Sequence, residues 1–215
     1  APLGHSFITK RRYGTPTEMF QLYINTQGEL YFEFAINHPN PSLTSLNCPV
    51  SINDNNWHFI AVVMDRDGSG SIFIDGEFCS AVDIWPQQGD ISVDEKLIFG
   101  FAPPNGSFSG SIGEASFWKR TLSLSEINEI MNQNLPNTNN LVGYWKFDEG
   151  LGNIINDYSG NDNDGIIYNA EWEYITILEG CTDETAVNYN NLANQNDGSC
   201  FHETFSDIDG NQYEA

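Results

Sequence analysis

Apolar and polar positions alternate with a period of two through much of the first 120 residues. In residues 29–36, Leu30, Phe32, Phe34 and Ile36 fall on one side, and Glu29, Tyr31 and Glu33 on the other. That alternation describes a strand with one face in a core. Shorter runs of the same kind follow at residues 57–64, 71–75, 97–101 and 111–118, with Trp57 expected to open a buried strand. Turn chemistry separates them: residues 25–28 (Asn-Thr-Gln-Gly), 65–70 and Asp75-Gly76 supply the positive-φ and side-chain-bonded positions of tight β connections. Many short strands at regular spacing predict an all-β sandwich or barrel. One helix is expected. Ser123-Leu124-Ser125-Glu126 is a capping box, Ile127, Ile130 and Met131 form an apolar stripe, and the helix should end near Asn134, before Pro136. After the polar stretch 136–140, residues 141–147 return to strand.

The character changes near residue 179. Cys181 and Cys200 bracket a segment of mostly Asn, Asp, Thr and Ala, too small and polar to bury a core of its own. A disulfide or an ion would have to hold it. The expected organisation is a sandwich over residues 1–178, a Cys-bracketed segment over 179–202 and the start of a further module over 203–215, with both ends continuing into a longer chain. Four cysteines, Cys48, Cys79, Cys181 and Cys200, permit three pairings that spacing does not decide. Locality favours Cys48 with Cys79 and Cys181 with Cys200. No close Cys or His pairs suggest zinc, so disulfides and an oxidising, secreted or surface location are expected.

Charge narrows the partners. With 30 Asp and Glu against 8 Lys and Arg, the formal net charge is -22. Such a chain repels a phosphate backbone, which excludes nucleic acid and anionic membranes as natural partners. The one basic run, Lys10-Arg11-Arg12, is too short to reverse that. Hydrophobic residues at 40% and aromatics at 13% mark a folded chain rather than an acidic tail, and no apolar run reaches the length of a membrane helix.

Four ordered motifs then carry a resemblance. Residues 57–63 (Trp-His-Phe-Ile-Ala-Val-Val), 71–76 (Ser-Ile-Phe-Ile-Asp-Gly), 108–115 (Phe-Ser-Gly-Ser-Ile-Gly-Glu-Ala) and 118–127, from Trp118-Lys119-Arg120 to Glu126-Ile127, resemble the laminin G-like, concanavalin A-type jelly roll. The resemblance, which extends to pentraxin-like domains, implies a two-sheet antiparallel jelly-roll sandwich. It also implies binding of glycans or protein partners, often with calcium. Residues 143–150 and 157–165 look like the segment that commonly opens such modules; here they follow the helix, so they either complete the first sandwich, the favoured reading, or begin a second. Gly180-Cys181-Thr182-Asp183 and Asn196-Asp197-Gly198-Ser199-Cys200 resemble a Cys-bracketed repeat of surface proteins of Bacteroidetes and other marine bacteria.

Candidate chemistry follows from residue types. Retaining glycosidases need two carboxyls about 5 Å apart, whereas Glu29 and Glu33 are four positions apart on a strand, about 13 Å, and are expected on a solvated outer face. No nucleophile motif is present, and no catalysis is expected. Calcium wants several hard oxygens: Asp157, Asn161, Asp162, Asn163 and Asp164 crowd one loop, and Asp183, Asn190, Asn196 and Asp197 another. The run from Asp207 to Asn211 departs from an EF-hand loop. Sugar faces stack on exposed rings, which singles out Trp85 beside Pro86, with Tyr13 as a weaker partner, while Trp57 and Trp145 are expected in the core. The expected function is a non-catalytic carbohydrate-binding or adhesion module, calcium-stabilised, within a longer secreted or surface chain whose partners are a glycan or a surface protein. The alternatives are a strand-exchanging structural spacer and a degenerate glycoside hydrolase.

Overall fold

The computed structural model describes residues 5–11, 19–36, 42–86, 88, 91, 94–102, 106–173, 179–193, 195–202, 204–206 and 212–214. The chain forms two compact units, Ala1–Asn169 and Ala170–Ala215. Residues 141–169 therefore belong with the first unit.

The first unit is built from short antiparallel strands and one helix. In chain order these are β1 (His5–Arg11), β2 (Met19–Ile24), β3 (Glu29–Ile36), β4 (Ser42–Ser51), β5 (Ile60–Met64), β6 (Ser69–Ile74), β7 (Glu77–Asp83), β8 (Ile98–Phe99), β9 (Phe101–Ala102), β10 (Gly106–Ser107), β11 (Ala115–Trp118), α1 (Leu124–Met131), β12 (Leu141–Trp145), β13 (Ile154–Ile155) and β14 (Gly165–Ile166). One sheet has the order β4-β3-β2-β1-β8, a second the order β5-β6-β7, and β11 pairs with β12. Among the described residues no helix is long and apolar enough to cross a membrane.

Turn chemistry sets the register. At the β2–β3 hairpin, Asn25 Oδ1 accepts from the amides of Gln27 and Glu29, and the Gly28 amide donates to the Asn25 carbonyl. Gly28 has φ +83°, and a Cβ there would run into Ser51 and Asn53, so this corner needs glycine. Asp75 and Gly76, with φ +53° and +79°, are the two-residue turn between β6 and β7. The capping box at Ser123 and Glu126 forms as the sequence predicts, and Arg120 pairs with Glu126 at 2.7 Å. The helix ends at Met131, a little before Asn134.

The core lies between the inner faces of the two sheets. Ile24, Leu22, Leu30, Phe34, Ile36, Leu46 and Cys48 of the larger sheet meet Ile72 of the smaller one and Ile84 just beyond β7. An aromatic extension joins β11 and β12: Trp145 is 6% exposed and meets Phe99 and Phe117 edge-on at 5.4 and 6.2 Å, while Phe117 contacts Phe20. Cys48 on β4 is bonded to Cys79 on β7, which joins the edge strands of the two sheets. Cys181 is bonded to Cys200 in the second unit. The pairing favoured by locality is the one formed.

In the second unit, Glu179–Gly180 pairs in parallel with Gln195–Asn196, and Thr204–Ser206 pairs with Gln212–Glu214. The loop between the cysteines is held by backbone bonds, such as Asn190 N–H to the Cys181 carbonyl and Val187 N–H to the Phe201 carbonyl, and by Asn188, which donates to the Ser199 carbonyl and accepts from the Phe201 amide.

Closing the 31-residue separation between Cys48 and Cys79 restricts the unfolded chain by about 4 kcal/mol in the loop-entropy treatment. The double variant Cys48→Ala/Cys79→Ala is expected to lose roughly 2–4 kcal/mol in urea unfolding, and an unchanged midpoint would show that the bridge does not hold the sheets together.

Candidate functional site

The outer face of the five-stranded sheet is the part of the molecule most unlike an ordinary solvated surface. Its residues stand in three cross-strand rows fixed by the register. One row is Asn47, Tyr31, Tyr23 and Ser6; the next is Ser45, Glu33, Gln21, Thr9 and Ile98; the third is Leu43, Ala35, Met19 and Arg11. Strand spacing makes the face about 14 Å wide from β4 to β1. Leu43 and Ser45 are exposed, Tyr23, Tyr31, Glu33, Asn47 and Arg11 are half-buried, and Gln21 and Thr9 are only 2% and 1% exposed. The expectation of a solvated face around Glu29 and Glu33 is therefore corrected: neighbouring residues cover part of it.

Chemistry along the rows is specific. The Tyr23 and Tyr31 rings stack with centroids 5.4 Å apart. Tyr23 Oη donates to Glu33 Oε1 at 2.9 Å, and burial first, then the Glu33 carboxylate, push the Tyr23 phenol well above its ordinary pKa. Ser6 Oγ is satisfied by the Leu22 carbonyl at 3.3 Å, whereas Thr9 Oγ1, Arg11 Nε and Asn47 Nδ2 are buried atoms without a hydrogen-bond partner. Buried polar atoms are almost always paired, because leaving one unpaired costs about 1–3 kcal/mol. Three such atoms lie on this face, one in each row, each shut off from solvent by its neighbours, and the half-buried Tyr23, Tyr31, Glu33, Asn47 and Arg11 are what the face presents to the outside.

Trp85 lies on the other side of the sandwich. Its side chain is 57% exposed, as expected of a stacking platform, and its amide donates to Asp83 Oδ1 and the Gly68 carbonyl. Gln88 Nε2 donates to the carbonyls of Trp85 and Arg66, which ties this segment to the β5–β6 turn. A depression of about 450 Å³ beside that turn is lined by Asp65, Ser69, Ser71, Phe73 and Thr121 among others. Tyr13 lies outside the described residues, as does the run from Asp207 to Asn211.

Trp57 is a correction. It is 61% exposed, because the strand begins at Ile60 and residues 54–59 form a loop instead. His58 anchors that loop, with Nδ1 2.8 Å from Asp75 Oδ2 and Nε2 3.0 Å from Asp54 Oδ1. The Trp57 ring packs beside Gly113, where a Cβ would sit 3.4 Å from it, an ordinary contact. The hydrogen bond to Asp75, and then that to Asp54, raise the His58 pKa above 6.5, against the opposing effect of burial.

In the acidic loop, Asp157 is a backbone acceptor. Its Oδ1 accepts from the amides of Tyr144 and Ser159, both at 2.9 Å. Its Oδ2 accepts from Ser159 Oγ at 2.8 Å and the Asn163 amide at 3.0 Å. Burial opposes ionisation here, but these donors together hold its pKa down at about 2. Asp164 Oδ1 accepts from the Asp157 amide, and the Asn161 and Asn163 side chains donate to the carbonyls of Leu141 and Val142. The Asn163 carbonyl takes Trp145 Nε1 at 2.9 Å, so the loop clasps the core tryptophan. Asp162 sits at φ +57°.

In the cysteine loop, Asp183, Asn190, Asn196 and Asp197 each accept from the amide two residues on, at 2.8–3.1 Å. A hard cation needs several oxygens turned toward one centre. Those of Asp157 are filled by N–H and O–H donors and those of the cysteine loop serve separate turns, so these residues fit backbone closure better than a calcium ligand set. Among the described residues, no three His, Cys, Asp or Glu side chains gather to hold a metal ion.

Two measurements test these assignments. Asp157→Ala is expected to cost about 3 kcal/mol, lowering Tm by roughly 6–12 °C, while excess EDTA leaves the wild-type Tm unchanged; a fall on chelation would show that a cation holds one of the loops. Because its folded pKa is depressed, Asp157 stabilises the protein above its unfolded value of 3.8 and loses that contribution as pH falls toward 2. His58, with its pKa raised, has the opposite sign: its contribution is full below 6.5 and is lost as pH rises through the folded value. Wild type should therefore lose its stability advantage over His58→Gln as pH rises above 6.5 through the raised folded value, and a difference constant with pH would contradict the assignment.

Comparison with known proteins addresses the fold. Residues 4–128 match the Concanavalin A-like lectin/glucanases superfamily. Among solved structures, a candidate carbohydrate binding protein from Bacteroides ovatus aligns with TM-score 0.52 and 18% identity, over 75% of this chain and 50% of that one. The chain thus spans about half that protein's length. The heptameric SAP-like pentraxin of Limulus polyphemus aligns at TM-score 0.48 and 18% identity over 76% of each chain. The CBM40 of the Ruminococcus gnavus IT-sialidase, solved with α2,6 sialyllactose, aligns at 0.37 and 20% over 50% of this chain and 62% of that one. No curated protein matches the chain significantly. With its family match extending over more than half its length and its strands packed as two antiparallel sheets, the chain belongs to the Concanavalin A-like lectin/glucanases superfamily.

Proposed function

We propose that the first unit is a non-catalytic carbohydrate-binding module whose ligand lies on the outer face of the five-stranded sheet. One observation carries the reading: the stacked, half-buried Tyr23 and Tyr31 rings share a face with the half-buried Asn47 and Glu33 side chains. Sugar hydroxyls both donate and accept, so one ligand can bond an amide and a carboxylate while its pyranose C–H face packs on the aromatic rings. Glu29 and Glu33, the carboxylates nearest in kind to a glycosidase pair, are bonded to Asn25 and Tyr23 instead, which supports binding without hydrolysis. Two disulfides agree with an extracellular location. The solved carbohydrate binding protein of similar fold agrees with the ligand class.

Exposure of Trp85 near the depression at the β5–β6 turn supports a second reading, in which the sugar stacks there. Substitution separates the two. Tyr31→Ala should weaken glycan binding about tenfold in calorimetric titration, and Trp85→Ala should leave affinity unchanged. Thr9→Val, which removes an unpartnered hydroxyl that solvent does not reach, should leave stability equal or higher. Full affinity in Tyr31→Ala with loss in Trp85→Ala would move the site to the other side of the sandwich.

A further inference from the structure

The charge on the proposed face is uneven, and it runs against the charge of the chain. Arg11 ends the third row, half-buried, with its Nε buried and unbonded and no carboxylate paired to it among the described residues. Lys10, paired with Phe20, belongs to the other face of the sheet, so Arg11 is the cation of these rows in a protein of net charge -22. The carboxylate on the face, Glu33, is two strands away and already accepts from Tyr23.

A half-buried guanidinium is costly to leave without an anion, and its planar fork matches carboxylate and sulfate oxygens. We infer that Arg11 is the specificity-determining residue of this face and that the ligand is an acidic glycan, bearing a carboxylate or sulfate that pairs with Arg11. The inference rests on the proposed glycan-binding face and adds to it the charge of the ligand. It is compatible with the protein's acidity because charges scattered beyond a screening length of about 8 Å at physiological salt act weakly, whereas a half-buried pair is screened much less.

Titration calorimetry at physiological ionic strength tests it with three probes: trigalacturonate, its methyl ester and a sulfated galactan oligosaccharide. Wild type should bind at least one of the two acidic probes about tenfold more tightly than the neutral ester, and which of them it prefers identifies carboxylate or sulfate as the partner. Arg11→Gln should erase that preference by weakening the acidic probes far more than the ester, Arg11→Lys should keep part of it, and equal melting temperatures establish that the variants are folded. Equal binding of acidic and neutral probes by wild type, or a preference that survives in Arg11→Gln, would overturn the assignment to Arg11 and leave the glycan face standing. Failure to bind any of the three would overturn both.

Discussion

Everything in the first unit depends on the division of labour between the two faces of the five-stranded sheet. Because side chains alternate along a strand, burying Leu30, Phe34 and Ile36 against the smaller sheet commits Tyr31, Glu33 and Ala35 to the other side. A register slip of one residue would bring Glu33 into the core. The Asn25–Gly28 turn and the Cys48–Cys79 bridge therefore do more than stabilise: they fix which residues share the outer face, and with it the alignment of Thr9, Gln21, Glu33 and Ser45 into one row.

The abundance of acid in the sequence acquires a local meaning. Several carboxylates serve as acceptors for backbone amides at turns: Asp157 closes the loop around Trp145, Asp75 takes the Phe59 amide, and Asp183 and Asp197 shape the cysteine loop. Asx-type bonding of this kind substitutes for ladders that short strands cannot provide. It also reduces the case for calcium, since an oxygen that receives N–H donors presents little to a cation. Basic residues are few, and a half-buried Arg11 on the outer face stands out against that background.

Much of the fold was legible in the sequence. The alternation of residues 29–36, the two hairpin turns and the capping box at Ser123 each record a local rule, and each appears in the structure as its rule requires. The candidate face was not legible, because its rows join residues from five strands whose pairing a single sequence does not display. Trp57 was misplaced for a related reason. An aromatic beside an apolar run reads as the start of a strand, yet the bonds of His58 to Asp54 and Asp75 turn residues 54–59 into a loop and leave the indole outside. Trp85 was recognisable as exposed from Pro86 and its polar neighbours, but whether an exposed ring belongs to a site depends on what stands around it.

The most direct test of the account is a heteronuclear NMR titration of the protein with a bound oligosaccharide, following backbone amides together with the Asn47 and Gln21 side-chain amides. The account predicts that the largest shifts fall on Thr9, Arg11, Gln21, Tyr23, Tyr31 and Asn47, with the residues around Trp85 and Gly68 unmoved. Shifts confined to the Trp85 segment and the β5–β6 turn would contradict it.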